Sequence, residues 1–268
     1  MKKIFVTGAS SGIGRATAEA LLERGHEVWG TSRDPSRIPA SQRLHSVQLD
    51  LANRESTRAA FASALGEAGA FDVVINNGGS GHFGPAELLP EETIAQLFQS
   101  LVFAHIDLCR LALAAMHAQQ RGTIVNVTSL AAELPVPFMA AYNAAKAAMA
   151  SFTMTMQLEL GDSPIRLIDL QPGDICTGFN DTISKSGMDE PRYAPRAERS
   201  WQVVDRNLRN APKPELVGRR IAELIETSDP PPRVIVGDAF QAKVAPVIFR
   251  LLPHRLRLWG LKQYYGIR

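Results

Sequence analysis

Residues 2–7 form a short apolar run that leads directly into Gly8-Ala9-Ser10-Ser11-Gly12-Ile13-Gly14, and residues 16–24 then carry helical periodicity. A strand, a glycine turn and a helix in that order leave few folds open. Glycines permit the tight turn and let backbone N–H groups approach an anion, to which the positive end of the following helix adds its attraction. Gly8, Ser10, Ser11, Gly12, Ile13 and Gly14 are therefore expected to cradle the pyrophosphate of a dinucleotide.

The rest of the chain repeats the theme. Apolar stretches at 2–7, 27–31, 45–49, 72–76, 122–128, 165–171 and 234–236 alternate with helical patterns, and 268 residues with 45% hydrophobic content suffice for one full core. The alternation predicts an α/β, single-domain Rossmann-type doubly wound parallel sheet of about seven strands over residues 1–268. Its cleft is expected at the carboxyl ends of the strands. Residues 178–210 are polar and turn-rich, as a mobile substrate lid would be, and residues 239–268 form a basic amphipathic tail.

The second apolar stretch ends at Ser32-Arg33-Asp34, where such folds read the adenosine ribose. An acidic residue at that point binds two ribose hydroxyls and repels a 2′-phosphate. Ser32 stands there instead, and the guanidinium of Arg33 suits a phosphate, with Arg37 and Ser11 close in sequence. NADP(H) is favoured, while Asp34, if it rather than Arg33 takes the ribose position, would give NAD(H).

Tyr142 and Lys146 are four residues apart, which places them on one helical face, and Ser129 precedes them. A phenol titrates near pH ~10 in water, so a neighbouring cation such as Lys146 is needed to favour phenolate. Ser129 can donate to an oxygen already bonded to the phenol, holding a carbonyl or alcohol for proton transfer.

With Thr7 to Gly14 in front and Ser129, Tyr142 and Lys146 behind, the chain resembles the short-chain dehydrogenase/reductase family, in the subgroup reading Thr-Gly-x-x-x-Gly-x-Gly. Lesser markers follow in order: Asp50-Leu51, Asn76-Asn77-Gly78-Gly79, Asn126-Val127-Thr128-Ser129 and Pro172-Gly173-x-x-x-Thr177. The resemblance implies a carbonyl/alcohol oxidoreductase with Ser129, Tyr142 and Lys146 catalytic. It implies that Asp50 and Leu51 flank the adenine, that Asn77 and Gly78 line the cleft, and that Pro172, Gly173, Ile175 and Thr177 lie against the nicotinamide. Tyr142 and Lys146 would also touch the cofactor, Lys146 through the ribose hydroxyls. Two positions depart from the family pattern. Gly78 replaces an alanine, and Leu101 stands where an asparagine usually supports a water leading to the lysine. A leucine cannot hold that water, so an altered relay through Ser100 or His105 is one expectation, and solvent reaching Lys146 by another route is the other.

Leu134, Pro135, Val136, Pro137, Phe138 and Met139, with Phe83, Phe179 and the tail, suggest a lipophilic pocket. The Thr31–Asp34 run and the serine-to-tyrosine segment are similar to hydroxysteroid and retinol dehydrogenases, which implies a steroid-like, retinoid-like or long-chain substrate. A 3-ketoacyl thioester reductase is the alternative within this chemistry, and a non-catalytic NADPH-sensing protein is the alternative of another class. His82 reads as a loop residue.

Cys109 and Cys176 make no disulfide or metal pattern and suit a reducing cytoplasm. No metal is expected. A net charge of +2 gives no reason to expect nucleic acid. No apolar run is expected to reach the length of a membrane span. The tail combines Lys243, Arg250, Arg255, Arg257, Lys262 and Arg268 with many apolar residues and no acid. It either touches an anionic membrane peripherally or packs its apolar face on the cleft or a neighbouring subunit. A homodimer or homotetramer is expected, since family members pair the helices of the Leu101 and Tyr142 segments, and the small residues Ala144 to Ala150 permit close packing there or within one chain.

Overall fold

The structure, a computed structural model, describes residues 1–267 apart from the side chains of Asn180 and Asp181. Seven strands make the main sheet: β1 (Lys3–Val6), β2 (Glu27–Ser32), β3 (Leu44–Gln48), β4 (Val73–Asn76), β6 (Gly122–Val127), β7 (Ile165–Pro172) and β9 (Arg233–Val236). Their order is β3-β2-β1-β4-β6-β7-β9, and every pairing is parallel. The strands read as unbroken apolar runs because both faces are covered. Ile4, Val6, Val28 and Ile75 pack against α1 (Gly12–Glu23) and α8 (Glu215–Glu226) on one face. Phe5, Val74 and Ile124 pack on the other, against α2 (Arg54–Ala68) and α4 (Ala104–Gln119). The order reverses direction between β1 and β4, so the loops leaving those two strands diverge and open a crevice at their carboxyl ends.

Three features depart from the sequence reading. Glu91–Gln119 is one continuous helical run, α3 (Glu91–Phe98), a π-helical turn (Gln99–Phe103) and α4, and by length and composition it would pass for a membrane span. Its charged positions had broken the apolar run in the sequence, yet most of it is buried as a core helix. The stretch read as polar and turn-rich contains α7 (Ala194–Asn210), whose Ala197, Trp201, Val204 and Leu208 repeat at helical spacing beneath a heavily charged outer face. His82 lies in a two-residue strand, β5 (His82–Phe83), that pairs with β8 (Ser184–Lys185). Its ring nitrogens bond the hydroxyls of Ser184 and Ser186 at 2.7 and 2.9 Å, and burial pushes its pKa down, so a neutral imidazole ties residues 184–186 to the segment that follows β4.

Candidate active site

At the β1 edge, Thr7 organises the glycine loop. Its Oγ1 accepts from the N–H groups of Asn77 and Gly78 at 2.8 and 2.9 Å, while Asn77 Nδ2 donates back to the Thr7 carbonyl at 3.0 Å. Gly8 adopts φ +71°, and a Cβ on Gly14 would lie 2.2 Å from the Gly8 carbonyl oxygen, so the loop closes only with glycine at both places. Ser11 caps α1 without a side-chain bond, which leaves the first-turn N–H groups directed at the loop; Ser10, half-buried, and Ile13, packed on the core below, complete it. This cradle fits a dinucleotide phosphate. Thr7 was missed as a site residue, although a hydroxyl at a strand end before such a loop is a readable signal.

Other residues converge on the same edge. Leu51 leans over Gly78, where a Cβ would meet its Cδ1 at 2.7 Å. Asp50 holds the turn beneath, its carboxylate accepting from the Ala52 N–H at 3.0 Å. After β7, which ends at Pro172, the Gly173 N–H bonds the Val236 carbonyl, Ile175 is buried in the core, and the Thr177 side chain stands against Gly12. Gln241 from the tail clamps this loop, accepting from the Asp174 N–H at 2.8 Å and donating to its carboxylate at 2.6 Å. At the end of β2, Arg33 is exposed, whereas the Asp34 carboxylate is engaged by the backbone and hydroxyl of Ser36 at 3.1 and 2.7 Å. Those bonds hold the Asp34 carboxyl below its usual range.

The Ser129, Tyr142 and Lys146 side chains meet where β6 ends and α5 (Ala140–Leu160) begins. Ser129 accepts from the Ala131 N–H at 3.1 Å through Oγ and lies against the Tyr142 phenol. Burial pushes the Tyr142 phenol up to about 12, and the hydrogen bond from Ser129 opposes that rise. Lys146 is buried, donates to the Val127 carbonyl at 2.9 Å and lies 5.8 Å from the Tyr142 ring centroid. Desolvation brings Lys146 down to about 8 against the pull of the Asp169 carboxylate. The resting arrangement is a neutral phenol near a buried cation, with the Ser129 hydroxyl at the phenol.

The short chain dehydrogenase family matches residues 2–187. The chain belongs to that family. It is 34% identical to the 3-ketodihydrosphingosine reductase of Bacteroides thetaiotaomicron over 267 residues, covering 99% of this chain and 98% of the relative. A short-chain dehydrogenase from Streptomyces avermitilis has the same fold, with TM-score 0.81 and 27% identity over 99% of this chain and 96% of that one. A metagenomic short-chain oxidoreductase solved with NADP follows, with TM-score 0.71 and 26% identity over 88% and 96%. The chain is thus an oxidoreductase of this family rather than a pure sensor of NADPH, and its structural neighbours hold NADP or NAD.

Against the family pattern, Leu101 sits in the π-helical turn and is fully buried with Leu97, Val102, Ala145 and Met149. Its Cδ2 occupies the space over Gly79, 2.4 Å from where a Cβ would be. Ser100 donates to the Gln96 carbonyl at 2.9 Å, so its hydroxyl is spent on its own helix. His105 is different. It is buried within electrostatic reach of Lys146, faces the carbonyls of Leu101 and Gly78, and leaves Nε2 without a hydrogen bond. Burial first, and the Lys146 charge second, take its pKa to about 3, so the imidazole is neutral.

Behind Lys146, the buried Asp169 carboxylate accepts from the Thr128 hydroxyl, from Gln171 Nε2 at 2.8 Å and from Arg233 Nε at 2.9 Å. Arg233 also bonds Glu133 at 2.7 Å, and Glu133 receives Arg250 of the tail at 2.8 Å. This chain of charges joins β7, β9 and the tail, and no spacing in the sequence foretold it.

Proposed function

We propose that this short-chain dehydrogenase interconverts a ketone and a secondary alcohol on a long-chain lipophilic molecule with NADP(H), and that a 3-keto sphingoid base is its substrate. The observation that carries the reading is the setting of Tyr142: beside Ser129, it packs in an apolar cluster with Phe83, Phe138, Met139, Phe179 and Val204. The likeness to 3-ketodihydrosphingosine reductase supports it by running through the tail, whose Leu261 and Tyr265 belong to that cluster.

The residues divide the work. The glycine loop would hold the pyrophosphate, Asp50 and Leu51 the adenine side, and the Pro172–Thr177 loop with Asn77 and Gly78 the nicotinamide side. The dinucleotide supplies or accepts the hydride. For reduction, Ser129 polarises the carbonyl oxygen, Tyr142 gives it a proton, and Lys146 stabilises the phenolate left behind. NADP(H) is preferred because Arg33 is exposed just past the end of β2 while Asp34 is occupied with Ser36. Residues 178–210 act as the lid. The partners are the lipophilic substrate, a lipid surface at the tail, and a second copy of the chain, for which exposed Phe103 of the π-helical turn and Met154 and Leu158 of α5 offer contacts. Two free cysteines, one of them buried, fit a cytoplasmic setting.

The test is NADPH and NADH consumption across 3-ketodihydrosphingosine, steroid and retinoid carbonyls and 3-ketoacyl thioesters. Preference for the sphingoid ketone with NADPH is expected, with turnover lost and NADPH binding kept in Tyr142→Phe. A better thioester or steroid substrate overturns the substrate, and an active Tyr142→Phe overturns the site. Ser32→Asp with Arg33→Ala should shift preference to NADH; unchanged preference removes Arg33 from the phosphate site.

A further inference from the structure

The C-terminal helices turn apolar side chains outward. Among the described residues, nine of the fourteen exposed large hydrophobic residues lie between Phe240 and Tyr264. Such residues scattered singly need no explanation, but a concentration of this kind marks a contact surface. Phe240, Val244, Val247, Ile248 and Leu251 are spaced to line one side of the π-helical turn (Phe240–Val244) and α9 (Ala245–Leu251), and that side faces solvent. On α10 (His254–Tyr264), Arg255, Trp259 and Lys262 follow at helical spacing, all exposed.

Charge decides what covers this surface. Residues 239–268 contain no Asp or Glu. Arg250 is taken up by Glu133, and Arg257 bonds the carbonyls of Leu252 and Arg250, whereas Lys243, Arg255 and Lys262 are exposed and form no ion pair among the described residues. A second copy of the same basic surface would bring like charges together, while an anionic bilayer satisfies the cations and the apolar stripe at once. Trp259, 62% exposed and flanked on its helix by Arg255 and Lys262, suits the headgroup region.

The inner side of these helices closes two clefts. A cleft of about 360 Å³ lies between α5 and the tail, lined by Pro135, Ala144, Ala147, Phe249, Leu258 and Leu261. A smaller apolar cleft shares Pro135, Leu258 and Leu261 and reaches Val136 and Ile267, which pack in the cluster that includes Tyr142.

We infer that residues 240–264 are a docking surface for anionic membranes, seating the clefts beneath the tail against the bilayer that holds the substrate. The inference builds on the lipophilic substrate proposed above, but it is tested without turnover. The full-length chain is floated with vesicles of phosphatidylcholine alone or mixed with phosphatidylglycerol, at low and high salt. Binding to the anionic vesicles, release by salt and quenching of Trp259 by brominated lipid are expected. With each basic group near the surface contributing roughly fivefold, Lys243→Gln, Arg255→Gln and Lys262→Gln together should weaken partitioning by about 100-fold. Val247→Glu with Leu251→Glu should abolish it. Both variants keep turnover of a short, water-soluble ketone.

No flotation at low salt overturns the inference, as does a Trp259 that lipid does not quench. A stable dimer that Val247→Glu with Leu251→Glu dissociates, in a chain that ignores vesicles, assigns the face to a second copy instead. Vesicle binding without turnover of the sphingoid ketone sinks the substrate reading and leaves the surface standing; turnover without vesicle binding does the reverse.

Discussion

Lys146→Met should cost the protein its turnover and make the dinucleotide-free fold more stable. Burial lowers the Lys146 ammonium from its ordinary 10.5 to about 8, so keeping it charged in the native state carries a penalty of roughly 3 kcal/mol wherever it is protonated both folded and unfolded. Methionine keeps most of the apolar stem. It leaves the Val127 carbonyl without its 2.9 Å donor, a loss of ~1 kcal/mol. The net gain at pH 7 is about 2 kcal/mol, or about 5 °C in Tm for a chain of this size.

The sign with pH follows from the direction of the shift. Between pH 8 and 10.5 the unfolded lysine holds its proton and the native one releases it, so wild-type stability climbs through that window. The advantage of the variant is complete below pH 8 and fades by pH 10.5. Urea unfolding of both proteins without dinucleotide, at pH 7 and pH 10, measures the gap at each end. A variant less stable at pH 7, or a gap equal at both pH values, refutes the reasoning. NADPH-dependent turnover should fall by roughly 100-fold or more, and a variant near wild-type rate removes Lys146 from the chemistry.

Gly79→Ala should destabilise by about 1–3 kcal/mol, because its Cβ would collide with a Leu101 that is packed on every side. Leu101→Ala added to it should recover part of that loss in a double-mutant cycle; strict additivity would refute the contact. Asp169→Asn removes the charge that supports the Lys146 ammonium, so the alkaline limb of kcat/KM, set near pH 8 by Lys146, should move to lower pH. An unmoved limb would show that Asp169 serves only Arg233, Thr128 and Gln171. His105→Leu should lower kcat and alter its pH profile if the neutral imidazole passes protons to Lys146, and an unchanged rate and profile rejects that route.

What the sequence disclosed depended on how local the determining interaction was. The seven main-sheet strands were legible because burial on both faces makes each an apolar run, and the glycine loop was legible because positive φ and close approach leave one residue type. Ser129, Tyr142 and Lys146 stood out by spacing, since Ser129 lies two residues past the end of β6 and the first turns of α5 carry the other two. By contrast, α7 was hidden by its charged outer face, and the π-helical turn at Leu101 has no residue signature of its own. The replacement at Leu101 was readable, but its fit over Gly79 was not: the two meet only when the α3–α4 helix packs on the β4 edge. The pairing of Asp169 with Arg233, Glu133 and Arg250 is of the same kind, built from four elements distant in sequence.

That charge chain raises the question of whether events at the tail reach Lys146 electrically. Magnitudes argue against it. Arg250 has 58% of its side chain exposed, and an ion pair so open to water is worth under ~1 kcal/mol. Glu133 and Arg233 then stand between it and Asp169, and only Asp169 acts on Lys146 directly. A bilayer that drew Arg250 away from Glu133 would therefore leave the lysine almost as it was. Gln241 is mechanically closer, since it clamps the Gly173–Asp174 turn beside the cofactor loop. Tail contact should thus alter KM through loop position and substrate access, with the alkaline limb of the pH profile unchanged in Arg250→Ala; a displaced limb in that variant would restore the electrical route.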